Sequence, residues 1–207
     1  MNLQDAIAQI GEIQTQLERS ETFRGYRSVA VGTTGVIAVV GCVVQSLWLE
    51  VPANSVNKWL AMWITIAAAS AVIAGWELMQ RVYDRTSPRQ ARASRSALMH
   101  FVPCLSAGVA VTWALLGAEP SLAWVLPGTW SILFSLGVFS SLSILPKGSS
   151  AIALHYMLAG VICLRFGNGV HELAWWTMLV TFGVGQLLSA FILYFSLERP
   201  LRETANV

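Results

Sequence analysis

Residues 28–49 read SVAVGTTGVIAVVGCVVQSLWL, a stretch without a single Asp, Glu, Lys or Arg. The hydrocarbon core of a bilayer is about 30 Å thick and an α-helix rises about 1.5 Å per residue, so a spanning helix needs about 20 mostly apolar residues. This stretch is therefore predicted to cross a membrane as one helix. Five further stretches meet or approach the same criterion, which gives six predicted spans: 28–49, 59–79, 98–118, 127–145, 151–166 and 172–197.

The composition explains why these stretches belong in lipid. Of the 207 residues, 55% are hydrophobic and only 12% are charged, whereas an ordinary soluble domain carries about 25% charged residues. Backbone polar groups find no water inside a bilayer, so they must pair within helices or a closed barrel, and the alternating pattern of barrel strands is absent. The sequence predicts an all-α polytopic membrane protein: a six-helix bundle over 28–197, a lead-in over 1–27 and a short tail over 198–207.

Lysine and arginine fall almost entirely on one side of the predicted spans. Three precede the first span, five lie between the second and third, one lies between the fourth and fifth, and two follow the sixth; only Lys58 and Arg165 remain for the other side. By the positive-inside rule the basic side is cytoplasmic. Both termini are therefore expected in the cytoplasm, and the protein in the inner (plasma) membrane. Residues 81–97, which hold five arginines and Pro88, are predicted to form a loop.

Tryptophans mark the opposite side of the predicted bundle. Eight of the nine fall near the non-basic ends of the spans, and only Trp76 sits at the basic end. Tryptophan is enriched where membrane meets water, so these residues are predicted to form an interfacial belt. The eight are Trp48, Trp59, Trp63, Trp113, Trp124, Trp130, Trp175 and Trp176.

The leading segment, defined here as Met1 to Leu17, has a helical pattern of its own. Its apolar residues recur at helical spacing, which predicts an amphipathic helix; among them are Leu3, Ile7, Ile10 and Leu17. The polar side holds Asp5 and Glu12 and no Lys or Arg. A segment that adheres to anionic headgroups is expected to be basic. The acidic pattern therefore favours docking on protein.

Ionisable groups are scarce in the spans, and each is a candidate site because charge is costly in lipid. Glu77, His100 and His155 are predicted near the cytoplasmic end. Two histidines from different helices are enough for haem ligation, and Glu77 with His155 is enough for a proton relay. No His-x-x-x-His or Glu-x-x-His pair is present, which argues against a metal site. The favoured interpretation is interfacial side chains that hydrogen-bond locally.

Two further features of the spans point to helix packing. Gln186 is an amide at membrane depth in the sixth span, and it is expected either to bond a neighbouring helix or to line a small polar cavity. In the second span Ala67, Ala71 and Gly75 lie four residues apart and so on one face, where another helix can approach closely. The favoured partner is a helix of the same chain; the alternative is a homo-oligomer contact.

The run Leu126-Pro-Gly-Thr-Trp130, followed by an apolar helix with Gly137, resembles a motif of a group of uncharacterised bacterial six-helix inner-membrane proteins. That group also begins with a short charged helix leading into a Thr-Phe step, here Thr22-Phe23. The resemblance covers the first, fourth and sixth spans. It departs from the group's pattern at Leu187, where a His is expected, and it implies no particular activity.

The pattern as a whole favours a protein without chemistry of its own. The spans contain no paired aspartates, no Gly-x-Ser-x-Gly elbow and no phosphate-binding loop, so an intramembrane enzyme is the least favoured class. The expected function is that of an interaction, accessory or sensor subunit that packs against another membrane protein or itself and can hold a lipid-soluble ligand. The alternative is a small transporter or channel whose path passes Gln186, Glu77 and His155. No nucleic-acid partner is expected, because the net charge is only +2.

Overall fold

The computed structural model describes residues 28–49, 56–83, 88–143, 145–146, 148–169 and 172–198. The predicted amphipathic helix of the leading segment and both termini lie outside these ranges. The first five helices are α1 (Ser28–Trp48), α2 (Val56–Tyr83), α3 (Pro88–Ala118), α4 (Leu126–Ser140, entered through a 3₁₀ turn at Pro120–Val125) and α5 (Ser149–Phe166). The sixth, α6, is made of α-helical Trp175–Met178, π-helical Leu179–Gly183, α-helical Val184–Leu193 and π-helical Tyr194–Glu198.

Six of these helical stretches are long and apolar enough to cross a membrane. The predicted all-helical membrane fold with six spans is thereby confirmed for the described residues. α4 and α5 run antiparallel: Ser131 of α4 contacts Tyr156 of α5, and Ser135, one turn later, contacts Ala153, one turn earlier. The contacts between α1 and α2 and between α3 and α4 show the same antiparallel order. The end of the bundle where α1 starts, α2 ends and α3 starts is called the basic end below, and the other is called the tryptophan end.

The closest helix pair is α4 and α5. A Cβ added to Gly128 would lie 2.8 Å from the Gly160 carbonyl oxygen, and one added to Gly160 would lie 2.7 Å from the Gly128 oxygen. Two serines of α4 also donate to α5: Ser131 Oγ bonds the Tyr156 carbonyl and Ser135 Oγ the Ala153 carbonyl, both at 2.7 Å. Small residues and hydroxyls thus join the two backbones, as expected where lipid offers no hydrophobic driving force.

The remaining helices pack around this pair in a fixed order. α3 also lies on α4, α6 packs on α5, α1 packs on α6, and α2 packs mainly on α1. The α1–α6 contact again uses small residues, because a Cβ on Gly35 would lie 3.0 Å from Leu187 and 3.1 Å from Gln186. α2 and α3 are consecutive along the chain yet barely touch. These two helices therefore keep most of their surface outside the bundle.

Two helices are shorter at one end than predicted by more than two residues. The fourth span was expected to reach Leu145, but α4 ends at Ser140. Ser140 and Ser141 each donate a hydroxyl to the Gly137 carbonyl at 2.9 Å, and these bonds compete with the backbone for that acceptor. The sixth span was expected from Glu172, but α6 begins at Trp175, since Leu173 has φ 51° and Ala174 is extended.

The predicted loop over 81–97 is wrong for most of its length. α2 continues to Tyr83 and α3 begins at Pro88. The prediction was a Ser- and Arg-rich loop containing Pro88, but proline suits the first turn of a helix because its missing N–H would have no partner there. The Ala, Arg and Gln residues that follow are good helix formers. Only residues 84–87 separate the two helices.

Some tryptophans of the predicted interfacial belt are buried inside the bundle. Trp48 and Trp113 are more than three-quarters exposed, as a belt residue should be, whereas Trp59 and Trp63 are 1% and 2% exposed. Sequence position gave the depth of these residues along the helix but not the side of the helix that faces the bundle. Trp59 and Trp63 belong to the core together with Ala38, Cys42, Ala123, Leu126, Leu173 and Met178.

Candidate functional site

The most completely bonded polar side chain of the interior is Gln45 in α1. It is 1% exposed, its Nε2 donates to the Leu173 carbonyl at 2.6 Å, and its Oε1 accepts from Trp63 Nε1 at 2.9 Å. Leu173 is the one non-glycine residue with positive φ among those described. Gln45 thus ties α1 to α2 and to the strained turn that leads into α6.

Gln45 was missed by the sequence reading, which singled out Gln186. The available signal was a lone amide between apolar residues of the first span, at positions 43–47 of VVQSL. An amide in such a place must find partners inside the protein. The structure places Gln45 inside the bundle.

The Leu126–Trp130 motif is accounted for by packing. Leu126 is fully buried, Pro127 opens α4 and Gly128 permits the close approach to α5 described above. Trp130 stacks on Trp59 with ring centroids 5.8 Å apart, and its Nε1 donates to Thr112 Oγ1 at 2.9 Å. The motif therefore joins α4 to α2, α3 and α5 and contributes no free reactive group.

His155 is held against the π-helical part of α6. Its Nε2 lies 3.0 Å from the Val180 carbonyl oxygen, and since a carbonyl can only accept, Nε2 carries the hydrogen. The adjacent Tyr156 is fully buried and lies against Gly185, where a Cβ would come within 2.8 Å of the tyrosine ring and hydroxyl. Both side chains therefore join α5 to α6, in the manner of locally bonded groups.

Of the other predicted site residues, Glu77 and Gln186 have described side chains, and neither is shown in contact with His155. Glu77 lies partly buried on α2, a helix that shares no extensive interface with α5 among the described residues. His100 lies within α3, and its side chain is outside what the structure describes. Gln186 is partly buried on the α1 side of α6, beside Gly35. A relay from Glu77 to His155 would have to bridge helices that do not pack together.

The contacts of His155 and its neighbours concern the hypotheses of haem ligation and metal binding made from the sequence. The Nε2 of His155, the nitrogen farther from the backbone, is already engaged by Val180. Among the residues described, no three His, Cys, Asp or Glu side chains are close enough together to hold a metal ion. Gln45, Ser131, Ser135 and His155 are bonded to backbone carbonyls of other parts of the chain, and these bonds hold the bundle together.

The row formed by Ala67, Ala71 and Gly75 is the clearest feature left without a role inside the chain. All three residues are exposed, and apart from the neighbouring backbone of α2 no described atom lies within 4 Å of a Cβ built on Gly75. The described residues thus show no contact within the monomer for this row, and both the favoured packing within the chain and the alternative homo-oligomer contact stay predictions. Spacing showed that the three share a face, but it did not show which face of α2 the rest of the chain would cover.

No protein-family model, curated protein or solved structure matches this chain. The resemblance to the bacterial six-helix group thus stays a proposal, carried by the Leu126–Trp130 run, Gly137 and the Thr22-Phe23 step.

Proposed function

We propose that this protein is a non-enzymatic subunit of a membrane assembly, and that it works by packing the small-residue row of α2 against a transmembrane helix of another protein or of a second copy. The observation that carries the proposal is the exposure of Ala67, Ala71 and Gly75. We further propose that the basic end is cytoplasmic and that the membrane is the inner (plasma) membrane, as the distribution of arginines predicts.

The physical argument starts from how helices associate in lipid. Lipid tails are as apolar as leucine, so apolar surface alone gives a helix no reason to leave lipid for protein. Close backbone approach does, through van der Waals contact, and only small residues permit it. This chain uses that device at Gly128/Gly160 and at Gly35 for its own helices. The α2 row offers the same possibility of close approach on a face that the described residues leave open.

The neighbouring surface supports the same conclusion. None of the residues of the Phe101–Ala118 stretch of α3 is buried, and only 11% of the Val56–Glu77 stretch of α2 is, against 33–44% for the other four spans. A helix that enters beside α2 therefore meets no obstacle from α3, which barely touches α2. The two helices together provide a broad open side for a partner.

The test compares two alanines of the same helix at the same depth. Ala71→Leu places a large side chain in the row, and Ala69→Leu does the same on another exposed face. Overpacking a close contact costs roughly 1–3 kcal/mol, so Ala71→Leu is expected to lower the yield of the crosslinked complex in native membranes about tenfold or more, with Ala69→Leu unchanged. A lone monomer for the unaltered protein, or equal effects of the two variants, would refute the proposal.

The masses of the crosslinked products identify the partner. Twice the mass of this chain indicates a second copy, and any other mass a different membrane protein. Both variants are also compared for thermal unfolding as isolated protein. Both residues are exposed among the described residues, so both variants are expected to unfold like the unaltered protein. A loss of association then reflects the contact and not the fold.

A further inference from the structure

α6 contains a wide turn of π-helix near its middle. The π-helical stretch Leu179–Gly183 lies between α-helical Trp175–Met178 and α-helical Val184–Leu193. A π-helix bonds each N–H to the carbonyl five residues earlier, whereas an α-helix bonds it to the carbonyl four residues earlier, so the wide turn holds one extra residue. Such turns are rare in proteins as a whole and occur often at functional sites. Each residue of Val184–Leu193 is therefore displaced by one position from where an uninterrupted α-helix would place it.

Side-chain donors bond the backbone carbonyls in and just before the wide turn. His155 of α5 donates through Nε2 to the Val180 carbonyl at 3.0 Å, and an uninterrupted α-helix would bond that carbonyl to the N–H of Val184 instead. Thr181 Oγ1 donates to the Thr177 carbonyl at 2.7 Å, so it competes with the backbone for a second acceptor. The imidazole of His155 thus supports the π-helical turn against the α-helical one.

The contact between Tyr156 and Gly185 requires the π-helical turn. Tyr156 is fully buried, and a Cβ added to Gly185 would lie 2.6–2.8 Å from atoms of its ring and its hydroxyl. Closing the wide turn would advance the residues that follow it by one position, which is a rotation of about 100° and a shift of about 1.5 Å. Val184 would then stand where Gly185 stands now, and its side chain would meet the tyrosine ring. Tyr156 therefore excludes the α-helical register as long as its ring stays in place.

The segment after the wide turn carries two parallel rows of residues at the spacing of about one helical turn. The buried row is Gly185, Ser189 and Leu193, and the row one position earlier is Val184, Leu188 and Ile192. The second row is apolar throughout, so its burial in place of the first would leave no side-chain polar group of that row unpaired. The side chain of Tyr156, and not the character of the second row, is what keeps that row out of the interior.

We propose that the wide turn of α6 is a register switch, and that His155 and Tyr156 hold it in the π-helical state. When both side chains withdraw, the turn closes and Val184–Leu193 rotates by about 100°. The main neighbour of this segment is α1, so the switch connects a change at α5 to the packing of α1. The switch is separate from the α2 row and does not depend on the partner proposed for it.

Disulfide formation between α1 and α6 reports the register in the full-length protein in native membranes. A Cβ added to Gly32 would lie 3.5 Å from the Cβ of Ala190, within the range of about 3.5–4.5 Å that a disulfide requires. With the three native cysteines replaced by alanine, G32C/A190C is expected to crosslink under mild oxidation, and G32C/S189C is expected to crosslink weakly. Once the turn closes, residue 189 takes the place of residue 190, so the stronger crosslink becomes that of G32C/S189C.

The decisive comparison changes position 155 after Tyr156→Ala has removed the ring that faces Gly185. In Y156A the histidine still donates to Val180, so the G32C/A190C crosslink is expected to persist. H155L/Y156A also removes the donor, so the G32C/A190C yield is expected to fall about tenfold and the G32C/S189C yield to rise by a similar factor. H155Q/Y156A is the matched control, because the glutamine amide can donate in place of Nε2, and it should restore the pattern of Y156A.

The gain of the G32C/S189C crosslink separates a change of register from a loss of folding, since an unfolded chain has no reason to favour residue 189 over residue 190. An unchanged G32C/A190C yield in H155L/Y156A would overturn the proposal. So would a loss of both crosslinks, or equal yields for the leucine and glutamine variants at position 155.

Discussion

Replacing Gln45 by leucine tests how the tryptophan end of the bundle is held together. The substitution keeps the approximate volume and removes both hydrogen bonds of the side chain, to Leu173 O and from Trp63 Nε1. Each of these partners is then left unpaired in a buried place. Leaving one buried polar group unpaired costs roughly 1–3 kcal/mol, so two such groups give a sum of roughly 2–6 kcal/mol.

The lower end of that range is the expected one. Hydrogen bonds between transmembrane helices average only about 0.6 kcal/mol in double-mutant cycles, because the unfolded chain in a membrane also finds partners. The leucine side chain adds a small apolar gain at a fully buried position. The two effects together give an expected destabilisation of roughly 2 kcal/mol for Gln45→Leu.

Gln186→Leu provides the matched control. Gln186 is also an amide in a spanning helix, but it is only partly buried, and the structure shows no hydrogen bond from its side chain to the residues described. Its replacement is expected to change stability by less than about 0.5 kcal/mol. The assay is unfolding of the purified protein in mixed micelles by titration with a denaturing detergent, followed by tryptophan fluorescence. Equal effects of the two variants would refute the role assigned to Gln45.

Three other outcomes follow from the same geometry. Trp63→Phe is expected to destabilise the protein by about 1 kcal/mol more than Trp59→Phe, as measured by the same titration. The reason is that Trp63→Phe leaves Gln45 Oε1 unpaired, whereas the buried Trp59 Nε1 has no partner among the described residues. Gly160→Ala is expected to lower the free energy of unfolding by roughly 2–3 kcal/mol, since its Cβ would lie 2.7 Å from the backbone oxygen of Gly128. Gly117→Ala, whose Cβ would have nothing within 4 Å among the described residues, should be neutral or stabilising by up to about 1 kcal/mol. Thermal unfolding compares the two variants. A reporter enzyme fused after Val207 is expected to be active in the cytoplasm, and activity on the outer side would show that the number of spans or their orientation is wrong.

The six spans were predictable because they depend on a local property. Twenty consecutive apolar residues reveal a crossing helix whatever the rest of the chain does. Partners across the bundle were not predictable in this way. Gln45 bonds a carbonyl 128 residues away, and no pattern within the first span indicates that Leu173 would be brought to it. The sequence alone indicates that an amide in a spanning helix needs a hydrogen-bond partner, but it does not indicate where in the chain that partner lies.

The candidate site was predicted in part and for a similar reason. Helical spacing correctly grouped Ala67, Ala71 and Gly75, since their shared face follows from about 3.6 residues per turn. Which face of α2 is covered depends on how α1 and α3 pack, and this is a property of the whole bundle. The extension of α3 was missed because the polar, Ser- and Arg-rich stretch with Pro88 was predicted to be a loop, although proline suits the first turn of a helix.

The interior of the bundle and the exposed face of α2 use different kinds of contact. Inside the chain, Gln45, Ser131, Ser135 and His155 each bond a backbone carbonyl of another element, so the interior is held by directed bonds. The open face of α2 offers alanine and glycine instead. Such a face attracts a partner only through close approach, and van der Waals attraction falls steeply once a gap opens. Association should therefore respond to the size of the side chain at Ala71, and this is the quantity that Ala71→Leu and Ala69→Leu compare.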